Sequence, residues 1–257
     1  MTNPRFNAVL AIARSYIKDG YRGIERTRGL MALDVPRGVI IDRTVRVESP
    51  RQVKIARAVS IGRNSALICR EDGQIIVNEH VSIGPNVTLI AEQGGIIEIG
   101  EHTVIGSNVM LRSRSTIRIG ARNEILAFSS IEPREDSQCG NLITRERVTI
   151  HTYNFLDTTG DITIDVDTHT GPFCMFYTHN HNFSAPGSIW AQGIRVEPIM
   201  IGPGVWMGSK VLVMPGAVVG DNSVIAAGSV VTRKYGADEV LIGAPATVKR
   251  KRVHTLA

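Results

Sequence analysis

A six-residue period over residues 201–234 limits the fold of this 257-residue chain more than any other feature. An apolar residue opens each block of six, and a small or β-branched residue follows four positions later. A helix with about 3.6 residues per turn cannot keep positions spaced by six on one line. The period predicts a coil of short strands, with three hexapeptides per turn and like residues stacked between turns. The apolar column contains Ile201, Met207, Val213, Val219, Ile225 and Val231, and the second column contains Val205, Val211, Ala217, Ser223 and Ser229.

The same period starts near residue 53 and slips at residues 71–74 and 93–95. We therefore expect the coil to occupy most of the chain, in roughly ten turns of ~18 residues or fewer once loops are removed. An aromatic content of 5% agrees with an interior of stacked aliphatic side chains. Glycines after the apolar column, at Gly202, Gly208 and Gly220, are predicted to serve corners where the backbone turns sharply.

Three domains follow from this pattern. Residues 1–35 show helical spacing with one apolar and one basic face, which predicts a short N-terminal helical segment. That segment either packs on the coil or makes a peripheral contact with a membrane surface. Residues 36–235 form the coil domain, with loops predicted at 132–147 and 178–198, and residues 236–257 form a basic C-terminal cover. Loops that leave a regular repeat are the expected carriers of function.

Composition excludes several classes of protein. The chain carries a net charge of +5 but has no basic motif interleaved with aromatic residues, so nucleic acid is not expected as a partner. The cysteines Cys69, Cys139 and Cys174 are scattered and lack CxxC spacing, which is typical of reduced thiols. No signal peptide or apolar run near 20 residues is apparent. These features predict a cytoplasmic protein.

Residues 148–250 resemble a known family. The loop YTHNHNF, the hexapeptide blocks and the ending IGAPATVKRKR are similar to those of the left-handed β-helix acyltransferases, especially the galactoside, maltose and polysaccharide O-acetyltransferases. The resemblance implies an all-β fold, a left-handed parallel β-helix with a short α-helical N-terminal segment and an ejected active-site loop. It also implies a homotrimer with sites between subunits, acetyl-CoA as the donor substrate and no metal.

The resemblance assigns site residues by position. His179 is the implied general base, a role that suits an imidazole because its ordinary pKa lies near neutrality. For Asn154 the alternative is a satisfied polar group at a corner, and for Trp206 it is an aromatic side chain covering a corner. The implied acceptor-binding residues are His181, Asn154, Asp157 and Trp206, and the implied coenzyme-binding residues are Ser209, Ala227, Gly228, Thr232, Arg233 and Arg250.

The function implied is acetyl-CoA-dependent O-acetylation of a sugar hydroxyl, in surface polysaccharide or lipopolysaccharide synthesis. Transfer to the nitrogen of an amino sugar is the first alternative. A zinc protein resembling the γ-carbonic anhydrases is a second, with His151, His169, His179 and His181 as the candidate ligands. A non-catalytic β-helix that serves as a structural or binding subunit is a third.

Overall fold

The computed structural model describes residue 29 and residues 31–253, and these form a parallel β-helix with three sheets as its faces. Face A contains β1 (Ile40–Ile41), β4 (Ser60–Ile61), β7 (Ser82–Ile83), β10 (Val104–Ile105), β13 (Glu124–Ile125), β16 (Thr149–Ile150), β19 (His169–Thr170), β24 (Trp206–Met207), β27 (Val224–Ile225), β30 (Glu239–Ile242) and β31 (Thr247–Lys251). Face B contains β2 (Arg46–Glu48), β5 (Ala66–Cys69), β8 (Thr88–Ala91), β11 (Met110–Ser113), β14 (Ser130–Glu132), β17 (Phe155–Asp157), β20 (Met175–Phe176), β25 (Leu212–Val213) and β28 (Val230–Val231). Face C contains β3 (Val53–Ile55), β6 (Gln74–Val77), β9 (Ile96–Ile99), β12 (Thr116–Ile119), β15 (Leu142–Thr144), β18 (Ile162–Ile164), β23 (Ile199–Ile201), β26 (Val218–Val219) and β29 (Lys234–Tyr235).

Four short elements of residues 31–253 lie outside the faces. Strands β21 (His179–His181) and β22 (Ile194–Val196) form a separate antiparallel pair. Single 3-10 turns span Pro50–Gln52 and Ile189–Gln192. Below, corner AB means residues 151–154, 171–174, 208–211 and 226–229, which link face A to face B. Corner BC means residues 133–141 and 177–198, which link face B to face C.

The interior is built from the two columns that the sequence defines. Ile61, Ile83, Ile105 and Ile125 lie side by side in register on face A, and each is 2% exposed or less. Both columns over residues 201–231 are likewise buried. The predicted parallel β-helix is therefore confirmed. Two of its faces have nine strands each, which corresponds to about nine turns. The hand of the coil stays a prediction from the resemblance.

The glycines that follow three of the apolar column residues, Gly202, Gly208 and Gly220, are required for a different reason from the one predicted. A Cβ on Gly208 would lie 2.6 Å from the backbone nitrogen of Ala227 in the next turn, so the residue is needed for close approach of two turns. The tight bend comes two positions later, where Lys210 adopts a left-handed φ of 60°. Gly208 therefore lies at a corner, as predicted, but glycine is required there because of the neighbouring turn.

The predicted domain boundaries need two corrections. The loop expected over 132–147 contains β15, which pairs with β12 and β18 on face C, so only residues 133–141 leave the coil. The segment expected to cover the coil from residue 236 instead extends face A, because β30 pairs in parallel with β27. Strand β31 then folds back antiparallel on β30 and occupies that edge of the sheet.

The predicted N-terminal helical segment, residues 1–35, lies largely outside the described residues. Leu33 is described and joins the buried core. Membrane contact by this segment stays a prediction. Across residues 31–253, none of the helices has the length and apolarity needed to cross a bilayer.

Candidate active site

His179 lies where the chain leaves the coil at corner BC. Strand β20 ends at Phe176, and β21 carries His179 out to pair antiparallel with β22 before the chain returns to face C. The pairing sets His179 opposite Val196. The side chain of His179 is 11% exposed, so the imidazole is mostly enclosed but keeps a path to solvent.

A buried carboxylate holds the imidazole of His179. Nδ1 of His179 lies 2.7 Å from Oδ2 of Asp157, whose side chain has no exposed surface. Oδ1 of Asp157 accepts bonds from the hydroxyl and the backbone N–H of Thr159, at 2.6 and 3.0 Å. Burial raises the pKa of Asp157, but the bonds from Thr159 and His179 outweigh it and lower that pKa below its ordinary value. The carboxylate is therefore ionised near neutrality and can fix Nδ1 as the protonated nitrogen.

Glu135 approaches the other ring nitrogen of His179. Its Oε1 lies 3.6 Å from Nε2 of His179, which is longer than a good hydrogen bond. Arg114, whose side chain is 7% exposed, donates to the backbone carbonyls of Glu135 and Asp136 and so anchors this part of corner BC. His181 packs edge-on against both His179 and the exposed Trp190, with ring centroids 5.8 and 5.0 Å apart.

A separate groove of about 490 Å³ runs between face A and corner AB. Its lining brings three predicted site residues together, since Trp206, Ser209 and Ala227 all face it. Trp206 is 52% exposed. The rest of the lining is Thr149, His151, His169, Thr170, Gly171, Pro172 and Gly208.

The remaining coenzyme-binding candidates are spread over the coil. Gly228 bends corner AB with a φ of 73° and has open space beside it. Thr232 and Arg233 fall between β28 and β29, at the junction of faces B and C, and the guanidinium of Arg233 lies 5.4 Å from the ring centroid of Tyr235. Arg250 lies on β31 opposite Val240. The roles of these residues stay predictions.

Two acceptor-binding assignments need correction. Asn154 is 1% exposed and turned inward, where its amide nitrogen donates to the carbonyl of His151, the hydroxyl of Thr170 and the carbonyl of Gly171. Its side-chain oxygen accepts the backbone N–H of Cys174 at 2.6 Å. Asp157 is equally inaccessible and bonds to His179. Both side chains have used their hydrogen-bonding groups inside the protein, so neither is free to bind an acceptor.

The buried position of Asn154 gives a stability prediction. Asn154→Ala is expected to lower the free energy of unfolding by about 2–4 kcal/mol, because the backbone N–H of Cys174 loses its acceptor and the carbonyls of His151 and Gly171 each lose a donor. Urea unfolding of the variant measures this loss. The exposed Asn180 supplies the control, since Asn180→Ala should change stability by less than about 0.5 kcal/mol. Equal stability of the two variants would contradict the structural role.

The four histidines considered as zinc ligands do not converge within residues 31–253. His151 and His169 line the groove beside corner AB, whereas His179 and His181 share β21 at corner BC. The described residues place Glu135 beside the second pair, with the ligand atoms within 4.8 Å of one another. A three-histidine set from one chain is therefore not formed by these four residues.

Sequence reasoning missed Glu135 and gave Asp157 the wrong role. Asp157 precedes His179 by 22 residues, which is close to one turn of the coil in this region. That spacing could have predicted their contact. Glu135 lies in a segment that the sequence marked as a loop, but the length of a loop does not reveal where it returns to the coil.

The comparisons with known proteins agree with the repeat. Residues 198–233 match the family described as bacterial transferase hexapeptide (six repeats). This match confirms the predicted hexapeptide repeat over residues 198–233, within the parallel β-helix that the structure shows.

Similar proteins carry acetyltransferase names. Galactoside O-acetyltransferase of Escherichia coli (strain K12) is 50% identical over 54 residues, which cover 21% of this chain and 27% of that protein. A putative acetyltransferase of Staphylococcus aureus (strain COL) is 36% identical over 113 residues, 43% of this chain and 55% of that protein. The chain thus spans about a quarter to a half of these relatives. Among solved structures, a hexapeptide-repeat-containing acetyltransferase of Vibrio cholerae O1 biovar eltor, complexed with acetyl coenzyme A, is 27% identical, with a TM-score of 0.42 over 51% of this chain and 72% of that one.

Proposed function

We propose that this protein transfers an acetyl group from acetyl-CoA to a hydroxyl of a sugar, with His179 as the general base. The observation that carries the proposal is the pair of His179 and the buried Asp157, with 2.7 Å between Nδ1 and Oδ2. With Nδ1–H donated to the carboxylate, Nε2 carries the free lone pair on the side that faces Glu135 and is able to accept a proton. The relatives named as acetyltransferases support the reaction class.

The proposed reaction is a direct transfer that involves the acceptor hydroxyl, the thioester of acetyl-CoA and the side chains of His179 and Asp157. The acceptor oxygen attacks the thioester carbonyl carbon while Nε2 of His179 removes the hydroxyl proton. The C–S bond then breaks, the acetyl ester forms, and the proton passes from His179 to the departing thiolate. Asp157 stabilises the transient imidazolium through Nδ1. No protein nucleophile is needed, and the thiols of Cys69 and Cys174 are buried, with burial raising the pKa of each.

We propose a homotrimer because the two halves of the site, the groove and His179, lie at different corners of a single chain. The groove with Ser209 and Ala227 follows corner AB, whereas His179 is carried at corner BC. In a symmetric trimer, the corner BC of one subunit can face the corner AB groove of the next. Acetyl-CoA would then lie in the groove and present its thioester to His179 from the neighbouring subunit.

The function is tested by incubating the purified protein with acetyl-CoA and a panel of sugars, amino sugars and nucleotide sugars, with released thiol as the signal. Thiol release that requires an acceptor with a free hydroxyl supports the proposal. Release only with amino sugars would favour N-acetylation. Absence of acceptor-dependent release across the panel would overturn transfer to a sugar.

Coenzyme binding gives a second prediction. Arg250→Ala is expected to raise the KM for acetyl-CoA about tenfold with little change in kcat, because a cation on β31 would pair with a coenzyme phosphate in the bound state. Initial rates at varied acetyl-CoA measure the effect. Arg118→Ala on face C removes another exposed arginine, one that pairs with Glu98, and is the control, with no expected change in KM. An unaltered KM in the Arg250 variant would contradict the phosphate contact.

A further inference from the structure

We propose that Glu135, His179 and His181 bind a zinc ion whose presence blocks His179 as a base. The blocking effect rests on the proposed function, whereas the binding site does not. This proposal departs from the sequence expectation that no metal is bound. It concerns an inhibitory ion and not a cofactor of the reaction.

The spacing of the three side chains suits zinc. One ligand atom from each residue lies within 4.8 Å of the others. The 3.6 Å between Oε1 of Glu135 and Nε2 of His179 is too long for a good hydrogen bond. It is close to the separation of about 3.3 Å expected between two ligands of a tetrahedral zinc ion with bonds of about 2.0–2.1 Å. A set of two imidazoles and one carboxylate also binds zinc in preference to magnesium or calcium, which favour ligand sets made of oxygen atoms alone.

Each ligand is supported by a second contact. Asp157 accepts Nδ1–H of His179, which orients Nε2 towards Glu135, and histidines that bind zinc donate their other N–H to a carboxylate, a backbone carbonyl or water in the same way. His181 lies two residues further along β21, so its side chain leaves the strand on the same side as His179. Trp190 packs against the ring of His181.

The backbone of Glu135 is held on the same network. Its N–H donates to the hydroxyl of Thr159 at 3.3 Å, and that hydroxyl in turn bonds to Asp157. Its carbonyl accepts a bond from Arg114 at 2.5 Å. The carboxylate is thus presented from an anchored main chain and not from a free loop. Glu135 keeps 31% of its side-chain surface exposed, which leaves a route for the ion to enter.

An ion at this position would remove the chemistry that the proposed function needs. Coordination uses the lone pair of Nε2, which is the same lone pair that must accept the proton of the acceptor hydroxyl. The fourth position of the ion would hold water or another small ligand. Zinc is therefore expected to inhibit transfer reversibly, and a chelator is expected to restore it.

The test begins with binding, measured by calorimetric titration of the metal-free full-length protein with Zn²⁺. About one ion per chain is expected, with Mg²⁺ producing no comparable binding. Glu135→Gln and His181→Gln are each expected to weaken zinc binding at least tenfold. Glu101→Gln and His102→Gln, both at exposed positions elsewhere on the coil, are the controls and should bind zinc as the parent does. Parent-like affinity in both cluster variants would overturn the site.

Blocking of His179 is measured in two ways. Zinc should protect His179 from modification by diethylpyrocarbonate, detected by mass spectrometry of the peptide that carries it. In the transfer assay, zinc at saturating concentration should suppress thiol release at least tenfold, and chelation should restore it. Unprotected His179 in the zinc-loaded protein would overturn the blocking role, as would transfer that depends on zinc. If the chelated protein shows no transfer at all, the proposed function fails, while titration and protection still decide the metal site.

Discussion

Replacement of His179 by alanine is expected to reduce turnover by about 10²–10⁴-fold while leaving acetyl-CoA binding nearly intact. The loss follows because the acceptor hydroxyl would have to surrender its proton to water, without a base held in place by Asp157. Initial rates of thiol release measure turnover, and calorimetric titration with coenzyme A measures donor binding. The KM for acetyl-CoA should change little, since the groove with Ser209 and Ala227 belongs to corner AB and not to β21.

A matched substitution separates the base from its surroundings. His80→Ala removes a histidine that stacks on His102, with ring centroids 4.7 Å apart, far from β21 along the coil. Its turnover is expected to equal that of the parent protein. Full activity in His179→Ala would rule out the base, and an equal loss in His80→Ala would point to a general effect on the coil.

The repeat was predictable because it depends on composition at fixed intervals. Ile201 stacks on the like residues Ile164 and Val219 in the adjacent turns, and its burial follows from the period alone. Gly208 was predicted at a corner for a local reason, a sharp bend. Glycine is required there because a Cβ would lie only 2.6 Å from the backbone nitrogen of Ala227 in the next turn. A close approach between turns involves residues distant in sequence, and the local pattern does not contain it.

The site was less predictable than the coil for the same reason. The resemblance marked His179, but the role of Asp157 depends on which residue of one turn lies beside which residue of the next. Insertions such as residues 133–141 shift that alignment by several positions, so a motif alone does not fix it. Asn154 is buried and so cannot contact an acceptor. From the sequence alone, an asparagine near a predicted active site is equally compatible with acceptor binding and with a structural role. Its four internal hydrogen bonds identify the structural role.

Asp157→Asn is the second substitution with a large expected effect, and turnover should fall by about 10²–10⁴-fold. All the side-chain contacts of Asp157 come from donors. Oδ1 accepts from Thr159 and from the backbone N–H of Arg134, and Oδ2 accepts from His179 and from the backbone N–H and the hydroxyl of Thr178. An asparagine at this position must turn its NH₂ group either towards the donors that surround Oδ1 or towards those that surround Oδ2. Facing His179, it donates to Nδ1 and forces the proton onto Nε2, which then cannot act as a base.

The opposite orientation of the amide sets its NH₂ group against the donors of Thr159 and costs stability instead. Nitrogen-detected NMR of His179 therefore distinguishes the outcomes, because the proton should lie on Nδ1 in the parent protein and on Nε2 in an inactive, folded variant. Thermal unfolding shows whether the variant is folded, and an unchanged KM for acetyl-CoA separates positioning of the base from damage to the groove. Asp165→Asn is the control, since Asp165 caps the backbone N–H of Val166 and contacts no part of the site. A folded Asp157→Asn protein with parent-like turnover would show that the buried carboxylate does not position His179 for proton transfer.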